Sequence, residues 1–526
     1  MLFTSVTFIA FAAVLLLLYY ALPKRLQPAL LFLFSAAFLI SYDVKNLAFI
    51  AFTVITTWGA GLLMSRQHRD CDAYIEEHKA DLSREEKKAR RTLTKRRVRL
   101  LMAAAMVLNF GVLAVIKYQS LINLAVGGIF RLEEGDMFLS IALPLGISFY
   151  TFMCMGYLVD VCRGKYEADR NILHIALFAS YFPSLVQGPF SRYDDLGQTL
   201  FTTHKFDKNA FSSAVLRIAW GYFKKLVLAD RVSIVLMELF GRPDEFRGAY
   251  VFAALVLYSL RIYADFTGGI DITMGLSEAL GIKLRENFIL PYFSKSIAEY
   301  WRRWHITLGE WFREYIFYPL SISKPINKLS KNLKPKVGAN IAKRLPVWCA
   351  TIITWFVTGI WHGSTWNFIA WGMANCFVIL ISQELTPLYE KFHKKTGIGD
   401  TGAYGAFMIL RTYFLMGMIR MFDCYATVGI TLAAVGSMFT TWNPQVLFDG
   451  SLLTLGLTAA DYIVLALGSL LIFVVSLMNA KKSVRERLAA RPWLRFAATM
   501  ALIFLVLVFG AYGLGYDSSA FIYNQF

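Results

Sequence analysis

The stretch VWCATIITWFVTGIWHGSTWNFIAWGMANCFVILI, residues 347 to 381, consists of two apolar runs separated by the more polar break HGST. Similar runs, near the length of about 20 residues that crosses a bilayer as a helix, recur along the whole chain. Charged residues make up only 17% of the sequence and hydrophobic residues 57%, whereas soluble proteins carry about 25% charged residues. A single soluble core does not keep growing at this chain length. The composition therefore predicts an all-α polytopic integral membrane protein.

The apolar runs predict the topology in outline. We expect about eleven transmembrane helices, with re-entrant or interfacial helices among the shorter runs, in one membrane-embedded domain over residues 1–526. The first run lacks a preceding basic segment and a following small-residue cleavage site, which favours a retained helix over a signal peptide. The candidate spans are 2–22, 28–42, 45–64, 98–117, 137–161, 172–190, 209–240, 248–265, 346–361, 365–384, 405–423, 425–440, 459–479 and 494–513.

The charged residues lie mainly between these runs. Three basic segments, about 65–97, 323–345 and 480–495, are predicted to be cytoplasmic loops, because Lys and Arg concentrate on that side of membrane proteins. The acidic loop 132–136 and the tail after residue 513 are then expected on the opposite side. The direction of the helices in 405–440 stays open. The net charge of +18 therefore comes from segments that set the membrane topology. These segments could also contact anionic lipid head groups or a phosphorylated donor. No nucleic-acid partner is expected.

The stretch WRRWHITLGEW, residues 301 to 311, contains one of only seven histidines. A helical period that starts at Ile297 aligns Trp301, Trp304 and Leu308 in one apolar stripe, and His305 falls inside it. We therefore predict an amphipathic helix that points His305 toward the apolar interior. Taken alone, this stretch fits a buried structural histidine, or an interfacial helix with an aromatic belt, somewhat better than a functional histidine.

A second histidine, His362, lies between the two apolar runs quoted above. Gly359, Gly363 and Ser364 around it predict a helix break within the bilayer. Non-helical backbone at that depth is tolerated only where it is buried in protein or lines a cavity. His362 is thus a candidate to meet a substrate in a tunnel, or else a histidine that packs between helices.

Four kinds of chemistry suit two such histidines. Metal binding is disfavoured because no third ligand stands at zinc spacing, so no metal is expected. A serine nucleophile is disfavoured because Ser364 is not part of a GxSxG elbow. A proton relay in a transporter remains open. So does general base catalysis on a hydroxyl, because burial disfavours the charged form of an imidazole and leaves it able to accept a proton.

Three stretches then resemble the membrane-bound O-acyltransferase family, in its bacterial polysaccharide branch. They are SYFPSLVQGPFSRYDDL (180–196), the block from RIYADFTGG to REYIFYPL (261–320), and TWFVTGIWHGSTWNFIAWG (354–372). The resemblance covers about residues 140–380. Within this region the sequence is similar to the alginate O-acetylation and teichoic-acid D-alanylation membrane proteins. It departs from the alginate branch where Ser321-Ile322-Ser323, rather than a Gly-Gly pair, follows Pro319-Leu320.

The resemblance implies a ring of tilted helices around a central tunnel in the bacterial cytoplasmic (inner) membrane. It implies that His362 is the catalytic histidine, and that His305 occupies a second family position held by histidine or asparagine. The implied donor is a cytoplasmic thioester, acetyl-coenzyme A or an acyl carrier protein, with no bound cofactor. The implied acceptor is a hydroxyl of an envelope polysaccharide, reached directly or through an extracytoplasmic acyltransferase partner.

Further residues are weaker candidates. They are Trp301, Trp304, Trp361, Trp366 and Asp265 for the tunnel wall, and Arg302 and Arg303 for donor phosphates. Aromatic packing, helix–helix hydrogen bonding and contact with lipid head groups are the alternative roles for these residues. Three alternative functions remain beside O-acetyl transfer: D-alanyl transfer from a carrier protein, transport without transfer chemistry, and a scaffold for envelope synthesis.

Overall fold

The computed structural model describes residues 1–130 and 139–512. The predicted acidic loop 132–136 and the tail after 513 lie outside the described residues. The described chain is 80% helical and contains no strands. Its contacts divide it into two compact units, Met1–Asp207 with Ser277–Leu284, and Lys208–Leu276 with the chain from Arg285 onward.

Local sequence signals set several helix boundaries in the first unit. Ser83 accepts from the backbone N–H of Glu86 while the Glu86 carboxylate accepts from the Ser83 N–H, so a capping box begins the long helix Arg84–Lys117. Gly146 adopts a left-handed conformation (φ 70°) before Ile147–Cys162. The helices of this unit are Val6–Ala21, the 3₁₀ turn Lys24–Leu26, Gln27–Ile40, Asn46–Glu77, Arg84–Lys117, Gln119–Phe130, Ile147–Cys162, Ile172–Ser180, Phe182–Gln187 and Tyr193–Leu200.

The second unit contains both candidate histidines. Its α-helices are Lys208–Tyr222, Asp230–Gly241, Ala249–Ala279, Ile297–Arg303, Ile306–Phe312, Tyr318–Ser321, Lys324–His362, Trp366–Glu384, Thr386–Thr396, Gly402–Arg420, Val428–Thr440, Ala459–Lys481, Val484–Ala489 and Pro492–Phe509. Two π-helical segments, Phe223–Ala229 and Arg313–Phe317, interrupt this order. The 3₁₀ turns are Pro291–Phe293, Ile398–Asp400, Met421–Asp423, Pro444–Leu447 and Ser451–Thr454.

Eight helices in the described part of the chain are long and apolar enough to cross a membrane. Three shorter apolar helices accompany them, Val6–Ala21, Ile147–Cys162 and Val428–Thr440. The predicted class, a polytopic α-helical membrane protein, is confirmed. The number of eleven crossings and the single domain stay predictions.

The basic segment 323–345 is helical rather than irregular, and its position on the cytoplasmic side stays a prediction. It forms the first half of the helix Lys324–His362, with a kink at Gly338 (φ 81°) and prolines at 335 and 346. Lys, Ala and Leu favour a helix here, and Pro335 and Pro346 lie within it. Two helical stretches that meet at the Gly338 kink thus connect a basic segment to His362. In 65–97, the helices Asn46–Glu77 and Arg84–Lys117 leave only residues 78–83 between them.

Buried charges support the core of the second unit. Lys225, in the π-helical segment Phe223–Ala229, is 2% exposed. Its Nζ lies 2.6 Å from a carboxylate oxygen of Asp265 and 2.7 Å from one of Asp230. Lys224 beside it is 2.6 Å from Asp271. Burying these cations without carboxylate partners would cost several kcal/mol, so the pairs bind the π-helical segment to the helix Ala249–Ala279.

Candidate functional site

A cavity of about 450 Å³ in the second unit is lined by both His305 and His362. The two histidines are separated by 56 residues of sequence, and the packing of several helices brings them to the same cavity. The lining is mostly aromatic and aliphatic, with a few polar groups among them. It comprises Ile262, Phe266, Ala298, Trp301, Arg302, Trp304, His305, Ile306, Leu308, Gly309, Glu310, Phe312, Arg313, Phe317, Thr351, Thr354, Trp355, Thr358, His362, Trp371, Arg420 and Asp423.

His305 lies at a strained turn, and the predicted continuous amphipathic helix through it is wrong. The helix Ile297–Arg303 ends before Trp304, and Ile306–Phe312 begins after His305, which adopts a left-handed conformation (φ 48°, ψ 50°). Two backbone bonds enforce the turn, from Ile289 N to Arg303 O (3.0 Å) and from Ile306 N to Asn287 O (3.0 Å). A left-handed non-glycine residue costs about 1–2 kcal/mol, and such strain is tolerated where the surroundings fix it.

The Asn287 side chain, which is fully buried, sets the hydrogen bonding of His305. Its Oδ1 accepts from Thr307 N (3.1 Å) and from Thr307 Oγ1 (2.9 Å). Its Nδ2 lies 3.1 Å from His305 Nδ1, closer than Oδ1 at 3.3 Å. Because Oδ1 already accepts two bonds, Nδ2 donates to Nδ1. A neutral imidazole that accepts at Nδ1 carries its proton on Nε2.

The surroundings of His305 favour the neutral ring. The side chain is 2% exposed. Burial lowers the pKa of His305 well below its ordinary value, and the charge of a protonated His362 would lower it further. The ring of Phe266 meets the imidazole edge to face at 4.9 Å between centroids. His305 is therefore arranged as a hydrogen-bond donor through Nε2–H.

His362 ends its helix at the predicted break. Lys324–His362 stops there, Gly363 is extended, and Trp366–Glu384 begins after residue 365. The two helices pack at glycine: a Cβ added to Gly359 would lie 2.6 Å from Phe368 O, and one added to Gly372 would lie 2.6 Å from Trp355 O. Close packing through small residues is typical of membrane helices. It places the Trp371 ring 4.4 Å from that of His362.

The predicted tryptophans fall in different environments. Trp301 and Trp304 line the cavity, and Trp301 Nε1 donates to Asn375 Oδ1 at 2.9 Å. Trp361 is buried against the His362 ring (centroids 4.9 Å apart) and 6.5 Å from that of His305, outside the cavity lining. Trp366 is 77% exposed and does not line the cavity. The assignment of these tryptophans to a tunnel wall stays a prediction.

The three charged candidates, Arg302, Arg303 and Asp265, also lie in different environments. Arg302 lines the cavity with an exposed side chain. Arg303 forms an ion pair with Glu299 at 2.6 Å instead. Asp265 lies outside the lining, in the ion pair with Lys225. Within residues 1–130 and 139–512, no cluster of three or more His, Cys, Asp or Glu side chains is arranged to hold a metal ion, and the expected absence of a metal stays a prediction.

Several residues of the site escaped sequence reasoning. Asn287 lies within the block 261–320 that carries the resemblance, but neither its spacing from His305 nor its residue type pointed to it. Arg420 and Asp423 lie beyond the region 140–380 of clear resemblance. Ionisable residues at the end of an apolar run are the sequence signal that would have found them.

Residues 79–333 match the family model described as MBOAT, membrane-bound O-acyltransferase family. Residues 79–333 are therefore similar to this acyltransferase family, and the chain is a multi-pass membrane protein. The matched range includes His305 and Asn287, and His362 follows it along the chain.

Three of the relatives that match the chain are named as acyltransferases that act on cell-envelope polymers or alginate. The chain is similar to a probable alginate O-acetylase AlgI of Azotobacter vinelandii, 37% identical over 44% of this chain and 43% of that protein. It is similar to a peptidoglycan O-acetyltransferase of Helicobacter pylori, 27% identical over 48% of this chain and 50% of that protein. A teichoic acid D-alanyltransferase of Streptococcus thermophilus is 28% identical over 52% of this chain and 67% of that protein. The matches to the alginate relatives thus span less than half of those proteins' length.

Proposed function

We propose that this protein is an O-acyltransferase of the bacterial cytoplasmic membrane. It moves an acyl group, which we propose to be acetyl, from a cytoplasmic thioester to a hydroxyl of an envelope polysaccharide. The acyl group reaches the polysaccharide directly or through an extracytoplasmic acyltransferase partner. The observation that carries the proposal is a cavity lined by two histidines, His305 at a turn between helices and His362 at the end of a helix, in a chain with a match to an acyltransferase family.

The hydrogen bonding divides the roles of the two histidines. His305 is held neutral with its proton on Nε2, so through this atom it donates and does not act as a base. It hydrogen-bonds to the acyl carbonyl or orients the acceptor. His362 then accepts the proton of the acceptor hydroxyl, whose oxygen attacks the thioester carbon. The same division explains why asparagine, a donor that cannot serve as a base, is the family's alternative at the position of His305.

The charges near the cavity favour an anionic donor. Arg302 and Arg313 line it with exposed side chains. The helix that ends at His362 begins with the basic segment 324–344, which contains no Asp or Glu. Phosphates of coenzyme A, or the acidic surface of a carrier protein, would be attracted to this positive charge. No bound cofactor is required, because the thioester is a substrate.

D-alanyl transfer from a carrier protein to teichoic acid is the second candidate. The D-alanyltransferase of S. thermophilus is matched over 67% of its length. Asp423 also places a carboxylate at the cavity wall, where it would pair with the ammonium group of an aminoacyl substrate. Transport without chemistry is the third possibility, and it differs from both because no thiol is released.

The test is thiol release from labelled acetyl-coenzyme A by the protein purified into lipid, together with transfer of label to an extracytoplasmic extract. We expect release by the wild type and its loss in His362→Ala, since loss of a general base costs about a hundredfold to ten-thousandfold in rate. His393→Ala is the matched control, because His393 bonds to Tyr404 (3.0 Å) and lies outside the cavity. Thiol release from a D-alanyl carrier protein but not from acetyl-coenzyme A would favour the second candidate. Thiol release from neither donor would favour transport.

A further inference from the structure

Arg420, the last residue of the helix Gly402–Arg420, is a buried cation at the wall of the same cavity. Its side chain is 2% exposed. Two aromatic residues fix it: its guanidinium carbon lies 4.1 Å from the centre of the Trp304 ring, and its Nη2 donates to the Tyr300 hydroxyl. Because Trp304 precedes His305 in the chain, Arg420 is fixed against the turn that presents His305.

The charge of Arg420 is not paired with a carboxylate as the charges of Arg217 and Lys225 in this unit are. Arg217 lies 2.8 Å from both Asp271 and Glu286, and Lys225 contacts two carboxylates. Among the residues that the structure describes, no carboxylate forms an ion pair with Arg420, and its Nη1 is buried without a hydrogen-bond partner. Asp423 lines the cavity but lies beyond ion-pair distance. A buried charged donor is costly unless something satisfies it.

We propose that Arg420 is a second donor to the acyl carbonyl, which deepens and rests on the proposed acyltransferase function. The acceptor oxygen attacks the thioester carbon while His362 accepts the hydroxyl proton, and the carbonyl π electrons move to the oxygen. Nη1–H of Arg420 stabilises this oxyanion together with Nε2–H of His305. The oxyanion then collapses, the C–S bond breaks, and the thiolate takes the proton from His362.

The transient oxyanion fits Arg420 better than a resident anion does. The thioester group is neutral, and most of the lining is apolar, so negative charge develops on the acyl group only as its carbonyl is attacked. A fixed, buried guanidinium stabilises developing charge without reorganisation, and one such donor contributes about a hundredfold to a thousandfold in kcat.

The experiment measures kcat and donor KM for thiol release with acetyl-coenzyme A as the probe, in lipid-reconstituted wild type, Arg420→Met and Arg420→Lys. We expect Arg420→Met to lower kcat by about a hundredfold to a thousandfold with little change in donor KM. Arg420→Lys, which keeps the charge, should recover part of the loss. Tyr300→Phe removes the bond that holds Arg420 but leaves the guanidinium, so its loss should be much smaller. Arg495→Met removes a buried arginine outside the cavity and should leave kcat unchanged.

The outcomes separate the inference from the proposed function. Wild-type kcat in Arg420→Met, beside an active wild type and an inactive His362→Ala, would overturn the inference alone. An equal loss in Tyr300→Phe and Arg420→Met would also overturn it, since that pattern indicates packing. A change confined to KM would indicate ground-state binding instead. A wild type that releases no thiol from any acyl donor would overturn the proposed function itself.

Discussion

Asn287→Asp should invert the role of His305 while leaving its turn in place. The substitution keeps an oxygen where Oδ1 accepts from Thr307 N and Oγ1. It replaces the Nδ2 donor, 3.1 Å from His305 Nδ1, with an acceptor. A neutral His305 must then donate from Nδ1, and its Nε2 loses the proton that faces the substrate.

The magnitude follows from counting these bonds. Two of the three Asn287 side-chain hydrogen bonds survive, and the third reverses, so the loss of folding stability should be about 1–3 kcal/mol. Activity should fall more, because loss of one donor to the developing oxyanion costs about a hundredfold to a thousandfold in kcat. The carboxylate also raises the pKa of His305. When the pair formed by His305 and the new carboxylate takes up a proton, His305 again carries a proton on Nε2, whichever of the two side chains is protonated. The variant should therefore regain activity as the pH falls.

The assay is the pH dependence of kcat for thiol release in lipid, compared with the wild type and with Thr307→Val. Thr307→Val removes the 2.9 Å hydroxyl bond to Asn287 without touching His305, so it should lose about 1 kcal/mol of stability and keep the wild-type pH profile. Wild-type kcat in Asn287→Asp across the pH range would refute the assignment of the proton to Nε2. A loss of activity that acid does not reverse would also refute it.

The remaining predictions concern the other supports of the site. His305→Asn should retain at least about tenfold more activity than His305→Ala, because the amide still donates a hydrogen bond worth about 1–2 kcal/mol; equal rates of thiol release would contradict a donor role. Gly359→Ala should lower the melting temperature and the rate together, since its Cβ would lie 2.6 Å from Phe368 O and overpacking costs about 1–3 kcal/mol; an unchanged thermal unfolding curve would show that the helices separate freely. Lys225→Met should destabilise the protein by about 3–5 kcal/mol, because it leaves the carboxylates of Asp265 and Asp230 buried without their cation; Lys482→Met, on an exposed lysine, is the control in the same denaturation series.

Apolar runs and histidine context were sufficient to predict the class and the break at His362, because both depend on local composition. The period of 3.6 residues through Ile297, Trp301, Leu308 and Trp311 failed at His305. The tertiary contacts of Asn287 and Ile289 override helix propensity there. A left-handed histidine carries no sequence signal, whereas a left-handed glycine does.

The polar partners of the site could not be predicted for a related reason. Asn287 meets His305 across 18 positions of sequence, and Arg420 meets Tyr300 across 120. Pattern analysis detects neighbours on one helix face, not residues that folding brings together. Composition likewise marked the basic segment 323–345 as polar, but it did not distinguish a loop from a solvent-facing helix.

The most direct test of the proposed function is single-turnover thiol release from acetyl-coenzyme A by the reconstituted wild type and His362→Ala, with D-alanyl carrier protein as the second donor. We expect the wild type to release thiol from one of these thioesters, and His362→Ala to lose at least about a hundredfold of that rate. Equal release by the two proteins, or none from either donor, would contradict the proposed function.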